Sequence, residues 1–442
     1  MTNYIKERDI LFIFFISIIV FGSILLSLPF SWKPGVQYHI IDSLFITVSA
    51  VCVTGLASVD INYFSPFGKI ILLLLIQVGG LGLITFSSMF LALPKKRLSL
   101  VNTKLIQNYF TNENIVDPKY IVKVVLRLTI IIELIGAIFL YISFKDKIAH
   151  PVFTAVFHSV SAFCNAGFST IPGGLVTFRD NLSVNLTFML LIITGGIGFM
   201  VLWDLFDLLI GKDFILLLHT KIMLISTFVL ILSAALLFYI FEYSNPEIID
   251  LSWNEKILPA FFQSITTRTA GFNTLDQSLL SMPSKAITLG LMLIGGGSGS
   301  TAGGIKVTTA FLILYGITQG LNDKKGITIF NRKISSINLT KAGLFFVKAI
   351  VIVFLTILGL LIVESFYGNR FTFMEISFES FSAIGTVGLS LGITGKLSVF
   401  SKLILIFTMF AGRIGLFSLI LPVNEVKFDR TVEYPEGEVL IG

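Results

Sequence analysis

Apolar runs of about twenty residues recur from one end of this chain to the other, each long enough to cross ~30 Å of hydrocarbon as a helix. Hydrocarbon offers no water to unpaired backbone N–H and C=O groups, so a spanning segment must be a helix or part of a closed barrel. Uninterrupted runs of this length select the helix. The chain is 55% apolar and 13% charged, with 43 Phe and a mean hydropathy of +0.90, which is unlike the usage of soluble domains. Its 442 residues leave no separate soluble domain between the runs. The first run, Ile10 to Leu28, follows Lys6 and Arg8; it is too long for a signal peptide and lacks a small-residue cleavage site, so it reads as the first membrane helix.

Chemistry-bearing residues are sparse. Cys52 and Cys164 are the only cysteines, and His39, His150, His158 and His219 are scattered without ligand spacing. The histidines therefore read as isolated polar or interfacial groups. No paired carboxylates and no base beside a nucleophile point to catalysis, so neither an enzyme nor a bound cofactor is expected. The net charge of +6 lies mostly in connecting loops, where it reports membrane orientation.

One unit occurs four times: apolar helix, short connection, ten-residue amphipathic segment ending in a glycine, second apolar helix. The amphipathic segments are Phe45 to Leu56, Phe157 to Phe168, Phe261 to Phe272 and Phe378 to Leu389. In each, a Phe stands ten residues before the key glycine, in turn Gly55, Gly167, Gly271 and Gly388, and Leu or Phe follows that glycine. Ser or Thr stands two and four positions after the Phe in three copies; in the third copy the pair, Ser264 and Thr266, comes one position later. A second register accompanies the first. Glycine-rich steps follow 23 to 28 residues on: Gly79-Gly80-Leu81-Gly82, Gly195-Gly196-Ile197-Gly198, Gly295-Gly296-Gly297 and Ala411-Gly412-Arg413-Ile414-Gly415. Small residues at such spacing also serve plain helix packing in lipid.

The short segments cover only ~15 Å as helix, half a bilayer, so they must be re-entrant. The last one ends in Thr386-Val387-Gly388, the form of a cation-selectivity filter in which backbone carbonyls replace an ion's water. The four filter stretches are then Cys52-Val53-Thr54-Gly55, Cys164-Asn165-Ala166-Gly167, Arg268-Thr269-Ala270-Gly271 and Gly385-Thr386-Val387-Gly388. Glycine is needed where the strand turns successive carbonyls toward one axis. Non-helical backbone at membrane depth is tolerable when it lines water or is buried in protein, which four units around one axis provide. The expected fold is an all-α polytopic membrane protein, with four tandem helix–pore loop–helix units in pseudo-fourfold arrangement around one pore.

The spans fall at about 10–28, 68–92, 121–143, 184–209, 222–242, 284–320 (interrupted), 344–364 and 398–421, giving units at 1–93, 94–210, 211–320 and 321–422 and a tail at 423–442. Clusters such as Lys95-Lys96-Arg97, Lys324-Lys325 and Arg332-Lys333 lie between units, whereas Glu242 to Glu255 on the filter side is acidic. Positive-inside asymmetry places the inter-unit loops and both termini in the cytoplasm and the filters outward. The short helices then point their partly negative C-termini at a central cavity, which favours a cation there. All four units run in the same topology, which argues against an inverted-repeat secondary transporter.

Two departures mark a control element. The second helix of unit three is interrupted by Gly295-Gly296-Gly297-Ser298-Gly299-Ser300-Thr301-Ala302-Gly303-Gly304, followed by Ile305-Lys306. Each glycine costs a helix roughly 1 kcal/mol relative to alanine, so this stretch is a loop at membrane depth. A phosphate-binding loop fails because Ile305 separates glycine from Lys306 and Val307 replaces the required Ser or Thr. A merely broken transporter helix and an intramembrane gating loop both remain. In unit four, Arg413 sits within the second helix, where burial costs ~2.5–3.5 kcal/mol unless compensated. It either pairs with Asp204, Asp207 or Glu133 or stands below the filter as a barrier to cations. Arg268 is expected to support the filter through an ion pair.

In combination these residues resemble the Trk/Ktr/HKT superfamily of cation transporters over essentially the whole chain. The start directly at unit one and the ending Tyr434-Pro435-Glu436 … Val439-Leu440-Ile441-Gly442 are similar to Ktr membrane subunits. The resemblance implies a multi-pass subunit of the bacterial plasma membrane, homodimeric with one pore per protomer, bound to a cytoplasmic nucleotide-sensing ring of RCK-domain subunits (KtrA/KtrC type). It implies K⁺ as substrate when all four filter glycines are present, as here, with sodium activation or coupling open. It also implies a gate formed by Gly295 to Gly304, Lys306 and Arg413. Cys164-Asn165 and Arg268-Thr269 depart from the Thr-Val-Gly pattern and leave the degree of selectivity open.

Overall fold

The computed structural model describes residues 7–92, 118–211, 215–245, 253–319 and 327–414. The loop cluster Lys95-Lys96-Arg97, Lys324-Lys325, most of the acidic stretch before Glu255, the end of the last predicted span and the tail 423–442 lie outside the described residues. Unit one consists of α1 (Glu7–Leu26), α2 (Ile40–Val51) and α3 (Pro66–Ala92). Unit two has α4 (Pro118–Phe144), α5 (Pro151–Phe163), α6 (Leu182–Ile197) and α7 (Phe199–Leu209); unit three has α8 (Leu218–Glu242), α9 (Trp253–Thr266), α10 (Met282–Leu293) and α11 (Val307–Gln319). Unit four has α12 (Ser336–Phe366), α13 (Phe373–Gly385) and α14 (Val399–Ile414).

Helix starts follow from local chemistry. Pro151 opens α5, Asn181 caps α6 by accepting from Val184 N at 3.1 Å, and Ser281 precedes Pro283 at the start of α10. Thr372 and Glu375 form a reciprocal capping box at α13. Helices α4, α8 and α12 are long and apolar enough to cross a membrane. They turn large apolar side chains outward, among them Ile130, Leu134 and Ile138 on α4 and Phe354 and Leu355 on α12, as a lipid-facing surface requires.

Three details differ from the sequence reading. The second helix of unit two is bent by 103° between α6 and α7, at Gly198, rather than running straight through 184–209. Helix α12 begins eight residues before position 344, at Ser336. A small antiparallel hairpin, β1 (Ile327–Ile329) and β2 (Arg332–Ile334), precedes it, so the fold is helical but not purely so. Its two turn residues, Phe330 and Asn331, both have positive φ, the backbone that a two-residue hairpin demands. Ile327 and Ile329 pack on Ile222 of α8 with Phe311 and Tyr315 of α11 close by, which draws a polar inter-unit connection onto unit three.

The units pack in a closed order. Helix α3 of unit one packs on α5 of unit two, α6 on α9 of unit three, α10 on α13 of unit four, and α14 of unit four returns to α2 of unit one. A buried ion pair marks that last junction: Lys402 Nζ, near the start of α14, lies 2.9 Å from Asp42 Oδ1 in the first turn of α2. Removing one member of such a pair leaves an uncompensated buried charge, a cost of about 3–5 kcal/mol. Asp42→Leu is expected to destabilise the detergent-solubilised protein by that order, and Asp42→Leu with Lys402→Met to recover most of it, measured by thermal unfolding.

Candidate functional site: a four-strand ring and the loop beneath it

The four short helices deliver four strands of the same unusual backbone. Two residues before each key glycine the chain is left-handed at a non-glycine residue: Val53 (φ 56°), Asn165 (56°), Thr269 (72°) and Thr386 (50°). The glycines Gly55, Gly167, Gly271 and Gly388 then take φ of 94°, 69°, 76° and 92°, a region open chiefly to glycine. The second Ser/Thr of each segment holds this shape. Ser49 and Ser382 Oγ accept from the N–H of Gly55 and Gly388, both at 3.0 Å; Ser161 Oγ exchanges hydrogen bonds with Phe168; Thr266 Oγ1 donates to Phe272 O at 2.5 Å. In unit three, where Thr266 stands five residues before its glycine and not six, its hydroxyl meets the carbonyl of Phe272, one residue past the glycine.

The glycines are neighbours in ring order. A Cβ on Gly55 would come within 2.6 Å of Ala166 O, and one on Gly167 within 3.0 Å of Ala270 O. One on Gly271 would strike Val387 O, and one on Gly388 would strike Thr54 O. Each glycine thus abuts the carbonyl just before the next glycine, and the fourth returns to the first. The glycine steps of the second helices lie against this ring from outside: Gly79 on Val51 O, Gly195 on Phe163 O and Gly412 on Ile384 O. A side chain at any of these three would displace the end of a short helix.

The loop of unit three runs from Ile294 to Ile305, where a parallel bridge pairs its two ends. Its glycines touch the left-handed residues of two strands: Gly303 meets Thr386, and Gly295 lies near the Thr269 methyl. Asn165 Nδ2 donates to Thr301 Oγ1 at 3.2 Å. Further bonds tie the loop to the bend of unit two, with Gly297 N donating to Gly196 O at 2.7 Å, Phe199 N to Gly299 O at 3.0 Å and Thr301 Oγ1 to Gly195 O at 3.0 Å. The loop holding Gly295 to Gly304 thus reaches three of the four strands, at Asn165, Thr269 and Thr386.

Arg413 has no carboxylate partner among the described residues. Its guanidinium donates to Thr301 O of the loop and to Gly79 O and Gly80 O of α3, the latter two at 2.7 and 3.2 Å. The predicted acids are occupied elsewhere: Asp204 accepts from Leu217 N, Asp207 from Trp203 and Glu133 from Gln77. Arg413 is buried, and backbone carbonyls near glycine stand in for water because no side chain blocks their approach. Lys306 Nζ donates to the adjacent loop carbonyl, Ala302 O, at 2.6 Å. Arg268 also differs from expectation; it is buried, reaches Thr227 Oγ1 at 3.4 Å and has no carboxylate partner among the described residues. It lies behind its strand, not in an ion pair. His158, read from sequence as an isolated histidine, is fully buried in α5 with both ring nitrogens bonded.

Four non-helical strands close a ring inside a helical membrane fold, and comparison with known proteins puts that fold in a class of cation transporters. The chain belongs to the TrkH family of cation transport proteins, whose family model matches residues 14–430. Among individual relatives, it is 40% identical to the Ktr system potassium uptake protein B of Bacillus subtilis, covering 97% of this chain and 95% of that protein. It is 36% identical to the protein of the same name from Vibrio alginolyticus (99% and 95%) and 33% to the potassium/sodium uptake protein NtpJ of Enterococcus hirae (97% and 95%). The fold matches the crystal structure of the potassium transporter TrkH from Vibrio parahaemolyticus with a TM-score of 0.72, covering 95% of this chain and 85% of that one at 20% identity.

Charge-assisted hydrogen bonds contribute about 1.5–3 kcal/mol each, so losing the guanidinium should loosen the loop measurably. In a Ser300→Cys background, Arg413→Met is expected to raise the rate of thiol labelling at position 300 by at least tenfold; an unchanged rate would detach Arg413 from the loop's order.

Proposed function

We propose that this chain is the ion-conducting subunit of a Ktr-type K⁺ uptake system in the bacterial plasma membrane. Four helix–pore loop–helix units, 1–93, 94–210, 211–320 and 321–422, stand in pseudo-fourfold arrangement around one pore, followed by a cytoplasmic tail. The observation that carries this reading is the ring of Gly55, Gly167, Gly271 and Gly388, each with positive φ and each against the next strand's carbonyl. Backbone carbonyls spaced this way supply the dipoles that replace a monovalent cation's hydration shell. K⁺ is the proposed substrate because all four positions are glycine and because the relatives at 36–40% identity are named potassium uptake proteins. A sodium-permeable or sodium-coupled variant is the second reading, favoured by the name of the Enterococcus relative and by the divergent strands at Asn165 and Thr269.

The loop and Arg413 are assigned as the gate. Arg413 holds the loop by Thr301 O while anchored on the opposite helix at Gly79 and Gly80, so one cation spans the region below the ring. Opening requires these bonds to exchange for water or for other carbonyls. The assembly implied by the Ktr relatives is a homodimer with both termini cytoplasmic, bound to a nucleotide-sensing RCK ring, with sodium as a possible activator.

The test is K⁺-limited growth of an uptake-deficient bacterium expressing the chain with its ring partner; failure to rescue with protein present in the membrane would overturn the reading. Gly388→Ser is expected to lower K⁺ over Na⁺ discrimination at least tenfold, read as Na⁺ inhibition of K⁺ uptake. Arg413→Ala, or deletion of residues 299 to 304, is expected to raise flux severalfold; flat flux from folded variants would make the loop structural only.

A further inference from the structure

Superposing the four segments by their register exposes a position that the filter motif does not include. Three residues before the second Ser/Thr stand Ile46, His158, Gln263 and Glu379. All four are buried, at 0%, 0%, 1% and 0% exposure, so the three polar ones must be hydrogen-bonded or costly. They are bonded, and always to the chain that leaves the ring. His158 Nε2 meets Ser169 Oγ at 2.9 Å, two residues after Gly167, while its Nδ1 is bonded to Thr154 O in its own helix at 2.7 Å. Gln263 and Gln277 form a reciprocal amide pair, 2.7 and 3.0 Å, six residues after Gly271. Glu379 accepts from Ser390 Oγ and, at 3.0 Å, from Thr394 Oγ1, two and six residues after Gly388.

The same two downstream places are thus used in turn: +2 in unit two, +6 in unit three, both in unit four. In unit one all three positions are apolar together: Ile46, with Ala57 at +2 and Ile61 at +6. Polar partners occur where the tie exists and are replaced jointly where it does not, the pattern expected of an interacting set.

We propose that His158, Gln263 and Glu379 are positioning residues for ion selection, each tying its pore helix to the strand leaving the ring and so fixing how far that quadrant's carbonyls can yield around an ion. The proposal rests on the reading of the ring as an ion filter. Each strand is held just before its glycine by a backbone bond to its own short helix, Thr54 N donating to Ser49 O, Ala166 N to Ser161 O, Ala270 N to Thr266 O and Val387 N to Ser382 O. The tie holds it again on the far side, so the glycine and the carbonyl before it lie between two fixed points. A carbonyl clamped on both sides cannot close around a smaller ion, whereas the strand of unit one, held downstream by apolar packing, has more freedom. The ring is therefore stiff in three quadrants and pliant in one.

The experiment uses the full chain with its ring partner, reading K⁺ uptake rate and its inhibition by Na⁺ separately, with membrane abundance measured for each variant. Glu379→Leu and His158→Leu are expected to increase Na⁺ inhibition five- to tenfold relative to the half-saturating K⁺ concentration, and Glu379→Gln, which keeps an acceptor oxygen, to restore most of the discrimination. Ile46→Val is expected to leave the ratio within twofold, since it has no tie to lose. Should Glu379→Leu fail to accumulate, Ser390→Ala with Thr394→Val removes the same hydrogen bonds from the downstream side and carries the test. Wild-type Na⁺ discrimination in membrane-inserted variants lacking the ties, even with a reduced maximal rate, would overturn the proposal. A wild-type chain that transports no K⁺ would instead overturn the functional reading itself.

Discussion

Backbone lying directly against backbone is the contact on which the rest of the molecule depends. At the ring, each of four glycines abuts a carbonyl of the next strand; outside it, Gly79, Gly195 and Gly412 abut carbonyls at the ends of three short helices. Neither approach leaves room for a Cβ. With four non-helical strands at the centre of a membrane fold, every polar backbone group must find a partner within the protein or line water. The Ser/Thr caps serve that requirement, while the ordered packing of α3, α6, α10 and α14 on successive short helices and the Asp42–Lys402 pair that joins the last unit to the first hold the ring closed.

The same contact organises the region beneath the ring. The loop of unit three is a separate structural piece only in sequence. In space it is bonded to Gly195, Gly196 and Phe199 of unit two and held by Arg413 of unit four, which is itself held by α3 of unit one. Four units therefore meet in one hydrogen-bonded assembly, whose buried cation is met by backbone dipoles.

Much of this was legible in the sequence, because the physical demands at the ring are local. A left-handed turn needs glycine, a cap needs a hydroxyl, and a half-length helix must be re-entrant; these rules located all four segments and the register offset at Thr266. The partners of long, buried polar side chains were not legible. Arg413 has several acids within plausible reach along the chain, and carbonyls leave no signature in residue identity. His158 looked solitary because Ser169, its partner, is an ordinary serine until the fold brings it under the helix. The hairpin at 327–334 went unread because its turn is Phe330-Asn331 and carries no glycine.

The two copies of the Gly-Gly-x-Gly step separate the levels most cleanly. Gly79-Gly80-Leu81-Gly82 and Gly195-Gly196-Ile197-Gly198 are alike in sequence, yet α3 continues through the first while the chain turns by 103° at the second. At Gly82 a Cβ would meet, among the described residues, the rings of Phe14 and Phe15; at Gly198 the loop of unit three comes in, with Ser298 O close by and Gly299 O accepting from Phe199 N. The sequence by itself determined that four short helices would end in glycine strands of left-handed backbone, because backbone angles are properties of short segments. Which glycine step bends, and where Arg413 finds its carbonyls, was decided only by the tertiary structure, since each depends on a neighbour about a hundred or more residues away.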